Sequence, residues 1–210
     1  MEPVILLTSG PQVLAVNPSL GVNSIAELIS VAKEHSGLSY ATSGAGTQQH
    51  FIGEWFGRLA GVRLEHVPYR GAGQAIGDLI AGHVKVAVLG PVAVIPHHRS
   101  GAVHILAQSS ETRSPSLPDV PTFEEAGVKG LVLETWQGAF VPAGTAPAII
   151  ARLNSGLNKV LVDPAVTEKL LQTAQVAVGG TPEHLARVVQ RIARNSGDWR
   201  GSSTSKPIKV

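Results

Sequence analysis

Two strand–loop–helix–strand units in series, between Leu38 and Leu89, constrain the fold of this chain most. The first has an apolar strand at residues 38–41, a loop rich in Gly and Ser, and a helix whose apolar residues recur at helical spacing, namely Phe51, Ile52, Trp55, Phe56 and Leu59. The second has a strand at residues 62–67, a helix at 74–81 and a strand at 84–89. Because strands that alternate with helices are typical of βαβ crossovers, the sequence predicts an α/β fold.

The flanking segments also consist of predicted strands and helices. Extended segments are predicted at residues 4–7 and 12–17, and a helix that begins at the capping-box pair Ser24 and Glu27 is predicted to end at Gly37. Further along, we expect a strand at residues 103–108, a short helix at 122–126 and a strand at 131–141. Three more helices are expected to begin at Pro147, Pro164 and Pro182, with Thr145, Asp163 and Thr181 as their N-caps.

Composition excludes several classes of function. The net charge is +2 over 210 residues and the basic residues are scattered, so no nucleic-acid partner is expected. No cysteine is present, which removes disulfides and thiol nucleophiles. The sequence lacks the run of about 18 apolar residues that a membrane span needs, and its first residues carry an acid where a signal peptide carries bases, so nothing in it predicts export.

The loop of residues 43–48 is the strongest local signal of a binding site. Gly44 and Gly46 let the backbone approach a ligand, and the loop opens a helix, whose first N–H groups and dipole favour anions. Ser43, Thr47 and Gln48 add side-chain donors, so a carboxylate could be held without a full positive charge. The alternative is an ordinary turn whose Gly and Ser residues only cap the helix.

A second glycine-containing loop follows the next strand. Tyr69, Arg70, Gly71 and Ala72 lie at the carboxyl end of that strand, the side on which open α/β sheets bind ligands. Two such loops facing one crevice would make a cradle lined with donors. Taken alone, this segment also fits a tight turn with Tyr69 packed and Arg70 solvated.

A nucleotide site is the competing hypothesis for the first loop. Gly44-x-Gly46 follows a strand and opens a helix, and Glu65 lies about where a dinucleotide-binding fold places its ribose-binding acid. The third glycine of that motif is replaced by Gln49, which weakens the match.

Neither catalysis nor metal binding has an obvious agent. His97 and His98 are adjacent and so point in different directions, and no HExxH motif or acid cluster accompanies the eight histidines. No Gly-x-Ser-x-Gly elbow is present. We therefore expect no catalytic residues, no metal and no cofactor.

Five ordered motifs give the chain a family resemblance from about Val4 to Arg194. They are Tyr40-Ala-Thr-Ser43-Gly44-Ala-Gly46-Thr47-Gln-Gln-His50, His66-Val-Pro68-Tyr69-Arg70-Gly71, Arg113-Ser-Pro115-x-Leu117-Pro118-Asp119-Val120-Pro121-Thr122-x-x-Glu125-Ala126-Gly127, Trp136-x-Gly138 and Val141-Pro142-Ala143-Gly144-Thr145-x-Pro147. Together they resemble the Bug or TctC-like solute receptors of tripartite tricarboxylate transporters.

The resemblance implies a periplasmic, non-catalytic protein of the type II periplasmic-binding-protein (Venus flytrap) fold. Such receptors close two lobes on a small carboxylated solute and present it to membrane transporter subunits. The implied ligand-binding residues are those of the two loops, namely Ser43, Gly44, Gly46, Thr47, Gln48, Tyr69, Arg70, Gly71 and Ala72.

Departures from the family pattern shape the remaining expectations. The chain begins after the family's N-terminal segment, so residues 1–16 are expected to form a hinge and part of lobe 1, 17–106 lobe 2, and 107–200 more of lobe 1. Such an incomplete lobe predicts self-association, or a remnant that binds nothing. Leu89 and Lys85 stand where the family often has acids, which favours a plain mono- or dicarboxylate over an amino acid. Residues 201–210 are interpreted as a spacer followed by a strand-like tail, which either resembles the family's opening strand, displaced to the C-terminus by a rearrangement, or matches it by chance.

Overall fold

The computed structural model of the chain describes residues 1–35 and 37–190. The predicted spacer and strand-like tail, residues 201–210, therefore lie outside the described residues. The chain divides into two compact units. The larger comprises residues 9–135 and 167–176, and the described part of the smaller comprises residues 1–8, 136–166 and 177–190.

The larger unit is built on a five-stranded sheet with the order β4-β3-β5-β2-β6. Its strands are β2 (Val13–Val16), β3 (Leu38–Thr42), β4 (Leu64–Pro68), β5 (Val86–Leu89) and β6 (His104–Gln108). Strand β3 runs parallel to β4 and β5, whereas β2 is antiparallel to both β5 and β6. The carboxyl ends of β3 to β6 therefore lie along one edge of the sheet.

Helices α1 (Ile25–Glu34), α2 (Gln48–Ala60), α3 (Ala72–Ala81) and α4 (Pro91–Arg99) belong to the same unit. Alternate residues of β2 enter the two hydrophobic clusters of this unit: Val13 and Ala15 join the one with Leu79 and Leu89, and Leu14 and Val16 the one with Tyr40 and Phe56. Alternate strand residues point to opposite faces of the sheet, so β2 contributes apolar side chains to one cluster on each face.

The smaller unit holds most of a three-stranded sheet with the order β7-β1-β8. Its strands are β1 (Glu2–Gly10), β7 (Thr135–Val141) and β8 (Val176–Ala177). Helix α5 (Pro147–Leu161) belongs to this unit, α6 (Pro164–Gln172) begins in it, and a further helix covers residues 182–190. The helices at Pro147, Pro164 and Pro182 were all predicted from first-turn prolines.

The N-cap of α5 differs from the prediction. Ala146 occupies that position, whereas Thr145, the expected cap, donates its hydroxyl to the Pro142 carbonyl oxygen at 2.8 Å. The other two caps are formed as predicted, since Asp163 accepts from the Ala165 amide at 2.8 Å and Thr181 accepts from the His184 amide at 3.3 Å.

Two predicted elements are wrong, and helix α4 and the short strand β8 are among those missed. Thr122 forms an isolated bridge with Gln108, and residues 123–126 form turns. Gly127 takes a left-handed conformation and prevents a helix from continuing after the single helical bond from the Ala126 amide to the Thr122 carbonyl oxygen. The strand predicted from residue 131 begins only at Thr135, since Leu133 bonds to Ser109 outside any ladder. Helix α4 was not predicted, because Pro91 and Pro96 obscure its pattern.

The unit boundaries also differ from the predicted lobes. The sequence assigned residues 107–135 to lobe 1, but they belong to the larger unit. Their buried polar groups explain this placement: the Gln108 side chain donates to the carbonyls of Leu117 and Val120 at 3.0 and 2.7 Å, and the Gln108 amide bonds to Pro121. Residues 9–16 belong there too, because β2 lies between β5 and β6.

Candidate functional site

The two loops predicted to bind a ligand are neighbours in the larger unit. Thr42 and Pro68 are paired at the ends of β3 and β4, and the Tyr69 amide donates to the Thr42 carbonyl oxygen at 3.1 Å. A Cβ atom added to Gly44 would lie 3.5 Å from the Tyr69 carbonyl oxygen. The parallel register of β3 and β4 thus brings residues 43–48 and 69–72 together at one edge of the sheet.

The first loop, residues 43–48, opens α2 as predicted. Thr47 is the N-cap, and its hydroxyl oxygen accepts from the His50 amide at 3.3 Å. The amides of Gln48 and Gln49 form the first turn and have no acceptor within the described chain. These free N–H groups and the helix dipole make the start of α2 electropositive without a cationic side chain.

Three other amides of this loop are already used within it, which the sequence did not predict. The Gly44 amide donates to Thr42 Oγ1 at 3.2 Å, the Ser43 amide to Gln49 Oε1 at 2.9 Å, and the Gly46 amide to His50 Nδ1 at 3.1 Å. Gly46 also has a φ of 75°, a conformation that favours glycine. The loop is therefore fixed by its own hydrogen bonds, and the amides of Ala45, Thr47, Gln48 and Gln49 keep no acceptor within the described chain.

A network of amide side chains that includes the buried Gln12 holds this loop by hydrogen bonds. Gln12, which is 6% exposed, donates to Thr135 Oγ1 at 2.6 Å and accepts from Gln49 Nε2 at 3.0 Å. The side chain of Gln48 donates to the Glu134 carbonyl oxygen at 2.9 Å and accepts from the Thr135 hydroxyl. Sequence reasoning missed Gln12, Gln49 and Thr135, since each acts through a partner far away in the chain.

The second loop is held by Tyr69. Its hydroxyl donates to Asp78 Oδ2 on α3 at 2.6 Å. Burial, followed by the bond to Asp78, raises the pKa of Tyr69 to about 12, and the same bond lowers the pKa of Asp78. Gly71, with a φ of 133°, caps α3, which begins at Ala72, while Arg70 is exposed. A second helix start thus lies beside the first loop.

A cluster of aromatic and acidic side chains lies beside α2. The rings of His50 and His66 stack, His66 Nε2 lies 2.7 Å from Thr42 Oγ1, and the Tyr40 hydroxyl donates to Glu54 Oε1 at 2.8 Å. Burial, together with the nearby His50, lowers the pKa of His66 to about 4. Burial and the bond to Glu54 raise the pKa of Tyr40.

The geometry contradicts the nucleotide hypothesis. Glu65 is the second residue of β4, and a Cβ atom on Gly37, just before β3, would lie 3.5 Å from its carboxylate. Glu65 is therefore at the opposite end of the strands from Gly44 and Gly46. A ribose-binding acid would have to stand at the carboxyl end, beside the loop.

Residues 1–35 and 37–190 contain no group of His, Asp and Glu side chains placed to hold a metal ion. Lys85 donates to Ser19 Oγ at 2.8 Å, and Leu89 is buried. In the described part of the chain, no helix has both the length and the apolar character needed to cross a bilayer.

The sequence matches one family model and several known proteins. The family model described as tripartite tricarboxylate transporter family receptor matches residues 1–198. Protein BugT of Bordetella pertussis is 35% identical over 198 residues, which cover 92% of this chain and 61% of BugT. The UPF0065 protein in the tcbD-tcbE intergenic region of a Pseudomonas species is 38% identical over 186 residues, which cover 88% of this chain and 55% of that protein.

Solved structures show the same fold. Rhodopseudomonas palustris Rpa4515 with adipate is 33% identical with a TM-score of 0.84, covering 93% of this chain and 66% of that one. MatC from R. palustris with bound malate is 31% identical with a TM-score of 0.80, covering 91% and 67%. The periplasmic binding protein BugD is 28% identical with a TM-score of 0.82, covering 98% and 70%. The predicted α/β fold of type II periplasmic binding proteins is confirmed. The chain spans 55% of the Pseudomonas protein, 61% of BugT and 66% of Rpa4515.

Proposed function

Because this chain belongs to the receptor family of the tripartite tricarboxylate transporters, we propose that it supplies the carboxylate-binding loops of an extracytoplasmic solute receptor. The start of α2 carries this proposal: the amides of Gln48 and Gln49 are free of acceptors in the described chain, beside a loop whose shape is already fixed. One ligand carboxylate docks there. Charge-assisted hydrogen bonds to N–H groups are stronger than neutral ones, and the helix dipole adds to them.

The ligand contacts assigned to this chain are the two loops. Ser43, Gly44, Gly46, Thr47 and Gln48 surround the first helix start, and Tyr69, Arg70, Gly71 and Ala72 the second. Arg70 is the exposed cation of this group and attracts the anion from solution. The glycines hold the backbone conformation, and the hydroxyl of Thr47 fixes the helix start.

A mono- or dicarboxylate without an ammonium group is the best fit. Leu89, at the carboxyl end of β5, offers a ligand ammonium no acid, and two solved relatives are described with adipate and with malate, both dicarboxylates. BugD is described as a periplasmic binding protein, and we assign this chain to the same compartment. Its remaining partners are the membrane subunits of a tripartite tricarboxylate transporter. The process is binding and delivery, without catalysis.

Calorimetry with a panel of carboxylates tests the proposal. Adipate, malate, succinate and acetate are titrated into the chain, with glutamate to probe an ammonium and adenine and nicotinamide nucleotides to probe the competing hypothesis. We expect heat from at least one plain carboxylate and none from nucleotides. Absence of heat with every carboxylate would show that this chain alone is a non-binding remnant.

Two variants place the site. Thr47→Val removes the hydroxyl that caps α2, and Gly46→Val puts a branched side chain at a positive φ. Both are expected to weaken carboxylate binding about tenfold or more. Thr47→Ser is the matched control, since it keeps the hydroxyl and should keep the affinity. Binding that is unchanged in both valine variants would exclude this loop as the site.

A further inference from the structure

His50, whose side chain bonds the first loop to helix α2, is an unusual residue type for this role. His50 is the third residue of α2, after Thr47 at the N-cap, and its Nδ1 accepts from the Gly46 amide at 3.1 Å. In a capping box the side chain at this helix position, normally Glu or Gln, reaches back to the backbone amide of the N-cap residue, whereas His50 bonds to the amide one residue before the N-cap. Here an imidazole makes the bond.

The hydrogen bond defines the charge that His50 must carry to make it. A ring nitrogen that accepts a hydrogen bond has no proton, so the proton of the neutral ring lies on Nε2. Nε2 faces Glu54 Oε1 at 3.8 Å, the ring stacks on His66 at 3.8 Å, and the Tyr40 hydroxyl bonds to the same Glu54 oxygen. These groups, from α2, β4 and β3, hold the imidazole in place.

A carboxylate in this position would act against the proposed ligand. Residue 50 follows directly on Gln48 and Gln49, whose amides are free donors in the first turn of the helix. Two negative charges about 6 Å apart near a protein surface repel strongly enough to weaken binding by about tenfold or more. A Glu at residue 50 would fix the loop equally well and yet oppose the anion.

We infer that His50 is a positioning residue of the carboxylate site, holding the loop with a neutral acceptor so that residue 50 adds no negative charge to that of Glu54. The inference rests on the proposed function of that site. It assigns to His50 a role that differs from ligand contact, because the ring acts through the Gly46 amide.

The pair His50→Gln and His50→Glu tests this role, because both side chains can reach back to the amide and they differ in charge alone. Adipate and malate are titrated into each variant. We expect His50→Gln to bind within about threefold of the wild-type chain and His50→Glu to bind about tenfold or more weakly. The melting temperatures of the two variants should agree within about 4 °C, since Glu is favourable in a first helical turn. The gap in affinity should narrow as NaCl is raised.

The outcomes separate the inference from the proposed function. Equal affinities in the Gln and Glu variants would overturn the inference and leave the carboxylate site standing. No binding of any carboxylate by the wild-type chain would overturn both. Should His50→Glu fail to fold, the ring ¹⁵N shifts of the wild-type chain still decide, because a proton on Nδ1 of His50 would exclude its acceptor role.

Discussion

The imidazole rings of His50 and His66 lie 3.8 Å apart between centroids and are inclined by 10°. A stack this close places one ring in the field of the other, so that a proton added to His66 meets both desolvation and the neighbouring ring. These two effects lower the pKa of His66 to about 4, while Glu54 opposes them in part. The cluster of His50, His66, Tyr40 and Glu54 is therefore more stable when His66 is neutral.

The first prediction is that the protein loses stability on acidification through His66. The pKa of His66 is about 4 when folded and near 6.5 when unfolded, so the unfolded chain binds this proton first. The stabilisation is complete above about pH 6.5 and is lost as the pH falls to about 4. Since the ring is only half-buried, we expect about 1–2 kcal/mol from this residue.

Urea unfolding at pH 7 and pH 4 measures this loss. His66→Phe keeps an aromatic ring against His50 but cannot titrate, so its stability should fall less over the same range. The variant is expected to be less stable than the wild-type chain at pH 7, since the Thr42 hydroxyl loses its hydrogen bond with the imidazole of residue 66. If both proteins lose the same stability between the two pH values, His66 is not responsible.

The second prediction concerns the contact between α2 and β3. A Cβ atom on Gly53 would lie 2.1 Å from Tyr40 Cε2 and 2.5 Å from Tyr40 Cζ. Tyr40 is fully buried and bonded to Glu54, so it cannot move aside freely. Gly53→Ala should therefore cost about 2–3 kcal/mol of unfolding free energy.

Gly77→Ala is the control for that measurement. Gly77 is also helical, on α3, and a Cβ atom added there has no described heavy atom within 4 Å. The helix preference for Ala should make this variant about 0.5–1 kcal/mol more stable. The two variants change the backbone equally, so the difference between them isolates the clash with Tyr40. A stabilised Gly53→Ala would show that the contact is looser than the structure indicates.

Local patterns predicted the elements that carry the site, and long-range partners decided the rest. The capping box at Ser24 and Glu27 and the amphipathic spacing after Thr47 placed α1 and α2 correctly, because capping and apolar faces depend on residues three or four apart. The bond between Gln12 and Gln49 joins residues 37 positions apart, and no spacing signals it. The sequence thus identified the first loop but not the groups that occupy its amides.

The third prediction tests that amide network. Gln12 is buried and bonds to both Thr135 and Gln49. Gln12→Leu removes the amide that bonds to these two partly buried partners, which should cost about 1–3 kcal/mol. Gln74→Leu, at an exposed position on α3, should change stability by no more than about 0.5 kcal/mol. Chemical denaturation of both variants gives the comparison, and equal stabilities would mean that water replaces the missing amide.

The last prediction concerns self-association through α5. Ile149, Leu153 and Val160 are 52%, 41% and 50% exposed, and within this fully described helix Leu161 alone is buried. Their spacing places them along one side of the helix, so an apolar stripe on the smaller unit is open to solvent. We propose that copies of this chain associate through it.

Light scattering after gel filtration should show a mass that rises with concentration. Leu153→Lys should shift the protein toward the monomer because a buried ammonium is costly, whereas Ser155→Lys, at another exposed position of α5, should not. A wild-type chain that stays monomeric at every concentration would refute the proposal.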